Sequence, residues 1–334
     1  MSDTRAPADQ LTPVEGIRRE LRRTIGSYIT GHNERGSSRS ALAEDSWFGP
    51  DSVTWLVQSD WSILVGAIQS LLIQTLHPPT MAGVAEHSNF KDDPFGRIHR
   101  TANFVGVTTY GSARDAERMV RTIRKIHKRV VGVTPDGVPY EANDPHNLAW
   151  VHCTEVDAFL RSYQRYGNVS ISSAEADQYV EEMARVGEAL GVVDAPRSVS
   201  ELDARLRSYI PELKFSAQAR ESVRWLTFMP NAPAARAPYT VIFGAAVNLL
   251  PNWARRKMWL PPSIPFVSDA MVAPSAKVLL KTLDWIMQPP PEIAEVRARR
   301  AARTSAISGG GCICLLYTSP SPRDATLSRM PSSA

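Results

Sequence analysis

Only three cysteines occur in the 334 residues, and this scarcity excludes one class of protein. Cys153, Cys312 and Cys314 cannot form the disulfide framework that small secreted domains use in place of a large core. Residues 1–30 mix Asp, Glu and Arg without a central apolar run, so no secretory signal is readable. We therefore expect a cytoplasmic protein in a reducing compartment.

Long apolar runs and a strong excess of one charge are also missing. The longest uncharged stretch, from Trp61 to Leu76, is shorter than the roughly 20 residues that a membrane span needs. Lys and Arg outnumber Asp and Glu by only 38 to 34, and they form no basic block. These absences predict a protein with no transmembrane segment and no nucleic-acid partner.

Motifs for several common chemistries are absent as well. The chain has no Gly-x-Gly-x-x-Gly or P-loop for phosphate, no His-Glu-x-x-His for zinc and no Glu-x-x-His pair for a di-iron site. No strand-to-helix turn presents a hydrolase serine. Hydrophobic residues make up 43% of the chain, which is enough for a sizeable core.

The hydrophobic pattern is that of helices. An apolar segment from Trp55 to Leu76 predicts one buried helix that stops before Pro78, since proline restricts the preceding residue. Three further helix starts are marked by serine with an acidic residue three positions later, namely Ser112 with Asp115, Ser172 with Glu175 and Ser198 with Glu201. The helix that begins after Ser112 is predicted to continue to Gly132. Other helices are predicted near 145–167, 217–228, 239–250 and 274–287.

Two histidines lie within apolar helix faces. His127 falls in the stripe of the helix that begins after Ser112, and His152 falls in the stripe of the helix that begins near Pro145. A neutral imidazole is a metal ligand that survives in a dry site, so the pair raises the question of a buried iron. A buried histidine is more often a hydrogen-bonded core residue, and both interpretations stay open on this pattern alone.

Charged groups cluster just before these helices. Arg97, Arg100 and Thr101 present cationic and hydroxyl donors along one helical turn, which suits an anionic group such as a haem propionate. The alternative is that the arginines form ion pairs with acidic neighbours, namely Glu86, Asp92 and Asp93. We interpret His77 as a polar helix-end group and His146 as a solvated or locally bonded histidine.

Several motifs together resemble a known family. The runs LLIQTLHPPTMAGVAEHSNFKDDPFGRIHRT, TIRKIHKRVVG, DGVPYEANDPHNLAWVHCTEVDAF and YVEEMARVGEALGV, spread over residues 51–266, are similar to the bacterial oxygenase family of latex-clearing rubber oxygenases and MpaB-type oxygenases. The resemblance implies an all-α fold, a globin-like multi-helix bundle around a haem pocket, with extra C-terminal helices. It also implies haem b, dioxygen and a small apolar substrate such as an unsaturated one.

The resemblance assigns residues by position. It implies His127 as the proximal iron ligand, with His152 as the second choice or as a buried structural group oriented by Asp157. The family's Arg-x-x-Lys-Thr element matches Arg97, Arg100 and Thr101, although Arg100 stands where the family has lysine. Arginine cannot coordinate iron, so no distal-ligand role carries over to it. Glu86 is the nearest candidate for the acidic base of the pocket.

Two other functions stay open at this point. One is a cofactor-free helical binding protein, in which both histidines are core hydrogen-bonders and the Arg97 to Thr101 turn binds an acidic partner or a lipid headgroup. The other is a haem protein with a peroxidase or gas-sensing role.

Composition and resemblance together predict four segments. Residues 1–45 form an N-terminal helix and linker, 46–270 the oxygenase-like helical domain, 271–305 C-terminal helices, and 306–334 a disordered, non-native tail. From about Cys314 this tail resembles adapter-derived read-through, and the helical pattern is lost there.

Overall fold

The computed structural model describes residues 13–30, 45–88, 93–229, 233–261, 268–289 and 291–309. Within these ranges the chain forms fourteen α-helices, one π-helical turn and one two-stranded sheet. The α-helices, numbered α1 to α14 in chain order, are Pro13–Thr30, Val53–Gln58, Ile63–Gln74, Pro78–His87, Pro94–Tyr110, Ala113–His127, Pro145–Tyr166, Ser173–Leu190, Val199–Ser208, Ala217–Phe228, Pro233–Leu249, Asn252–Lys257, Ala273–Met287 and Pro291–Gly309. The π-helical turn is Ser268–Val272, and strands β1 and β2 are Val131–Val133 and Pro139–Glu141. The predicted all-α class is confirmed, while a globin-like arrangement around a haem stays a prediction.

Most predicted helices begin where a local cap stands. Ser172 accepts a hydrogen bond from the backbone of Glu175, whose side chain accepts from the backbone of Ser172, so the capping box at the start of α8 is complete. The side chains of Ser112 and Ser198 likewise accept from the third residue of α6 and α9. The predicted helix at 217–228 coincides with α10. Capping signals within a few residues were therefore sufficient for these boundaries.

The helix predicted from Trp55 to Leu76 is in fact two helices, α2 and α3. The chain turns at the buried Asp60, whose Oδ1 accepts a hydrogen bond from the backbone N–H of Ser62 at 2.9 Å. Its Oδ2 accepts from the backbone and side-chain amides of Asn168 at 3.1 and 3.0 Å. An aspartate that bonds the backbone two residues on favours a turn over a helix. The prediction of one continuous helix was wrong because apolar residues lie on both sides of this break.

A short hairpin between α6 and α7 was not predicted. β1 and β2 are antiparallel, with Gly132 opposite Tyr140, and the connecting turn has Gly137 at φ +84°, a left-handed conformation that glycine adopts without strain. The expectation that α6 continues to Gly132 was wrong, since α6 ends at His127. The valines of this segment favour a strand over a helix.

Helix α3 lies at the centre of the fold and packs against α7 and α11. The α3 and α7 backbones approach closely at Gly66, where a Cβ atom would lie 2.9 Å from the carbonyl oxygen of Ala158 and 2.6 Å from the Oγ atom of Ser162. Only glycine allows this approach. The α7 helix consequently packs directly against the backbone of α3.

The terminal helices pack on this core. α1 contacts α5 and α13, α13 also contacts α7 and α11, and α14 contacts α2. The extra C-terminal helices that the resemblance implies are present among the described residues. Residues 310–334, the larger part of the predicted tail, lie outside the described residues. Among the described helices, none combines the length and the apolar character that a membrane crossing needs.

Candidate functional site

His127 is the last residue of α6, and it lies on the face of that helix that turns toward the core. Ala116 and Val120 on this face are buried, while Ile123 and His127 are half-buried, as the predicted stripe requires. α6 packs against α5 and α8. The imidazole is therefore at the end of the stripe, where the apolar face meets the start of the hairpin.

One nitrogen of this imidazole is buried without a partner. Nδ1 of His127 has no hydrogen-bond partner within the described part of the chain. Burial lowers the pKa of His127 below its ordinary value of 6.5, so the ring is neutral at pH 7 and keeps a lone pair on one nitrogen. A neutral imidazole with an unpaired buried atom fits the role of an iron ligand.

Helix α5, which packs on α6, carries the predicted cationic element. Arg100 and Thr101 are exposed, and the side chain of Arg97 lies outside what the structure describes. Arg100 Nη1 lies 3.6 Å from Asp93 Oδ2, so one of the ion pairs considered above is present. Asp92 lies outside the described residues. Both side chains of this pair are more than half exposed, which makes the pair weak and easily exchanged.

Glu86 is at the end of α4, a helix that packs on the hairpin and on α7 and α10. Its Oε2 accepts a hydrogen bond from the buried hydroxyl of Tyr140 at 2.6 Å. Burial raises the pKa of Tyr140, and the hydrogen bond to Glu86 raises it further, so the phenol keeps its proton. The described contacts therefore place Glu86 beside Tyr140.

His152 is in the interior of α7 and is only 9% exposed. A Cβ atom on Gly187 of α8 would lie 2.9 Å from Nε2 of His152, so the bare backbone of α8 fills the space beside the ring. Burial lowers the pKa of His152 to about 4, which makes it neutral at pH 7. A porphyrin would need the space that α8 occupies, and this favours a structural role for His152.

Asp157, which was expected to orient His152, forms hydrogen bonds with another residue. Both carboxylate oxygens of Asp157 accept hydrogen bonds from Arg161 Nε, at 2.7 and 2.8 Å, and Arg161 also donates to Asp203. Positions five residues apart on a helix are separated by roughly 140° around its axis. The expectation that Asp157 orients His152 was therefore wrong.

The buried His152 predicts a measurable dependence of stability on pH. Its pKa is about 4 in the folded chain against 6.5 when exposed, so its stabilising contribution is present above pH 6.5 and is lost as the pH falls toward 4. We expect the free energy of unfolding of the wild type, relative to that of His152→Gln, to fall by about 3 kcal/mol between pH 7 and pH 4. Urea unfolding of both proteins across this range measures it.

Glu155, one turn away on α7, gives the stability of the protein the opposite pH dependence. Burial raises the pKa of Glu155 to about 7, so its contribution is present at low pH and is lost as the pH rises through 7. Comparing the two proteins at each pH cancels this term, since Glu155 is present in both. Parallel pH profiles for the wild type and His152→Gln would show that His152 is not held neutral by burial.

Three side chains that the sequence analysis had not grouped come together elsewhere. One ligand atom each from His77, His146 and Glu212 lies within 4.8 Å of the other two. His77, interpreted above as a helix-end group, does precede α4, but His146, interpreted as solvated or locally bonded, contacts Glu212, 66 positions away. No motif spacing joins these three, because they come from separate elements.

Comparison with known proteins gives one family. A search of curated proteins and a search of solved structures each found no match. A protein-family model described as "ER-bound oxygenase mpaB/B'/Rubber oxygenase, catalytic domain" matches residues 55–285, a region that holds α5, α6 and α7 with the candidate residues described above. Because this match spans well over half of the 334 residues, the chain belongs to the family of mpaB-type and rubber oxygenase catalytic domains.

Proposed function

We propose that this protein is a haem-dependent oxygenase that acts with dioxygen on a small apolar substrate, an unsaturated one by analogy with its family, and that His127 holds haem b. Membership of an oxygenase family supports the reaction class. The observation that carries the haem assignment is the buried Nδ1 of His127, which lacks a partner within the described residues.

The free-energy cost of leaving Nδ1 of His127 unpaired supports a ligand role for this residue. A buried polar atom left without a hydrogen bond destabilises a protein by about 1–3 kcal/mol, and of several such side-chain atoms in the described residues Nδ1 of His127 is the one that belongs to an imidazole. An imidazole that serves as a ligand accounts for this cost, because the bound group supplies the missing interaction. The lowered pKa of His127 also supports a ligand role, since only the neutral ring has a lone pair to donate.

The α5 element would complete the binding site. In this proposal Arg97 and Arg100 supply fixed positive charge, and Thr101 supplies a hydroxyl donor, toward the propionates or toward polar atoms of the substrate. The weak, exposed pair of Arg100 with Asp93 can be exchanged for a carboxylate of the ligand at little cost. When bound, haem would supply the iron chemistry that activates dioxygen.

His152 and Glu86 have supporting roles in this proposal. His152 fills the interface of α7 and α8 as a neutral core group, and it stays the second candidate for the ligand. Glu86 stays the proposed acid–base group, and its Oε2 accepts the 2.6 Å hydrogen bond that Tyr140 donates. A base role for Glu86 requires this hydrogen bond to open or to shift.

The experiment has two stages. The protein is expressed with added iron and a haem precursor, and its absorption spectrum is recorded, with a Soret band at about one haem per chain as the expected result. The pigmented protein is then incubated with an unsaturated isoprenoid under oxygen and under argon, and products are measured by mass spectrometry. We expect oxygen-dependent product. Colourless protein would favour the cofactor-free binding protein, and pigment without turnover would favour the peroxidase or sensing role.

A further inference from the structure

A second group of polar side chains lies outside the α5–α6 region. His77 precedes the first turn of α4, His146 is in the first turn of α7, and Glu212 is in the turn that follows α9. His77 is 1% exposed, whereas the side chains of His146 and Glu212 are about half exposed. The group therefore has a buried inner side and a side that is open to water.

Neighbouring contacts hold the three side chains in place. The backbone N–H of Lys214 donates to the carbonyl oxygen of Leu76 at 2.8 Å, which joins the segment of Glu212 to that of His77. The ring of Tyr209 packs on the ring of His146 with centroids 4.4 Å apart, and its hydroxyl donates to the His146 carbonyl oxygen at 2.8 Å. The arrangement is thus built by backbone and aromatic contacts and does not depend on a chance surface approach.

The polar atoms of the cluster are only partly satisfied by one another. Glu212 Oε2 lies 2.8 Å from His146 Nε2, which is a hydrogen bond, but it lies 3.7 Å from His77 Nε2, which is beyond hydrogen-bond distance. His77 Nδ1 is bonded to Thr80 Oγ1 at 2.8 Å. When Nδ1 donates this bond, the buried Nε2 has its lone pair directed at the carboxylate, which is an arrangement that a cation between them would satisfy.

We propose that His77, His146 and Glu212 form a site for a Zn²⁺ ion. Two imidazoles and one carboxylate are the ligand set of many zinc sites with three protein ligands, in which water takes the fourth position. The side chains of His146 and Glu212, about half exposed, face the water that would take this position. Thr80 is the outer partner that orients the His77 ring, as hydrogen-bonded groups commonly do around zinc.

An ion in the site requires the ligand atoms, which lie within 4.8 Å of one another, to adjust their separations. Ligand bonds of about 2.0–2.2 Å in a tetrahedron place neighbouring ligand atoms roughly 3.3–3.6 Å apart. The separation of 3.7 Å between Glu212 and His77 is close to this value, while the 2.8 Å hydrogen bond between Glu212 and His146 must open as the ion replaces its proton. Both of the latter side chains are half exposed and can move. An ion here would join three separate elements of the fold, α4, α7 and the turn after α9.

The test is zinc titration by calorimetry on the full, untagged chain after chelator treatment, since a histidine tag would itself bind the metal. We expect one Zn²⁺ per chain in the wild type. Loss of an outer partner of a metal ligand lowers affinity by about 10- to 100-fold. We therefore expect His146→Gln and Glu212→Gln, which each remove a ligand itself, to raise the Kd for zinc by at least about 100-fold. Thr80→Val should raise the Kd by about 10-fold or more while leaving the three ligands in place.

His87→Gln is the matched control, because His87 is an exposed histidine outside the cluster whose Nε2 contacts the carbonyl oxygen of Val131. Its zinc affinity should equal that of the wild type. The coordination is read independently from the visible absorption of the Co²⁺-loaded protein, where the wild type should show a tetrahedral spectrum that His146→Gln lacks. Absence of stoichiometric zinc binding, or equal affinity in the wild type and both ligand variants, would overturn the proposal. Neither outcome would bear on haem binding at His127.

Discussion

Replacement of His127 by alanine is expected to remove stable haem binding, so that the variant purifies without a Soret band. The imidazole is the only group proposed to donate to the iron, and alanine leaves nothing at the end of the α6 stripe that can replace it. The measurement is the ratio of Soret to protein absorbance after expression under identical iron supply. Circular dichroism should show unchanged helix content, because His127 is the last residue of α6 and only half-buried.

Two comparisons make this result specific. Free imidazole added to His127→Ala during reconstitution with haem should restore part of the band, since it can enter the space that the side chain leaves. His152→Gln should keep the band, because the ring of His152 packs against the backbone at Gly187. If His127→Ala retains its haem and His152→Gln loses it, the ligand is His152 and our assignment is wrong.

Replacement of Arg297 by methionine is expected to lower the free energy of unfolding by about 3–5 kcal/mol. Arg297 is on α14, and its side chain is only 10% exposed. It donates to Asp284 at 2.8 Å and to the carbonyl oxygen of Ser59 at 2.9 Å, and it lies 3.7 Å from the buried Asp60. Methionine has a similar volume but leaves these carboxylates without their cation, and an uncompensated buried charge is costly.

The matched control is Arg299→Met, two residues further along the same helix. Arg299 forms an ion pair with Asp51 at 3.3 Å, in which the side chains are 49% and 77% exposed. An exposed pair of this kind contributes at most about 1 kcal/mol. Urea unfolding of both variants gives the comparison. Equal, small losses in the two variants would mean that α14 does not stabilise the break between α2 and α3.

The contacts of Arg297 also connect the C-terminal helices to the oxygenase-like domain. The family match ends at residue 285, and α14 begins at Pro291. The contact of Arg297 with Asp60, at the turn between α2 and α3, nonetheless joins α14 to the first helices of the matched region. We therefore expect the C-terminal helices at 271–305 to unfold together with the oxygenase-like domain.

Much of the fold could be predicted because its signals are local. The serine caps of α6, α8 and α9 act within three residues, and the apolar stripe of α6 repeats every three or four residues, so both are readable before any contact is known. The family was also identified from short runs of residues, and the match over 55–285 confirms it. The burial of His152 and the partial burial of His127 followed from the same periodicity.

The parts that failed depend on which polar groups bond to one another. Asp60 breaks the helix predicted from Trp55 to Leu76 because its carboxylate accepts from the backbone of Ser62 and is held there by Asn168 and Arg297. Asp157 bonds to Arg161 and not to His152, because positions 152 and 157 point to different sides of α7. A hydrophobic pattern contains no information about either event, since it records which residues avoid water and not which polar groups meet.

The amino-acid sequence alone determined that this chain is helical, where most of its helices begin, that it resembles an oxygenase family, and that His127 and His152 lie on apolar helix faces. The tertiary structure decided which buried histidine is left without a partner, which is packed against a neighbouring backbone, and that His77, His146 and Glu212 meet. The reason is physical: caps and stripes act over a few residues, whereas a site is formed by side chains from separate elements, and only the packing of those elements sets the distances between them.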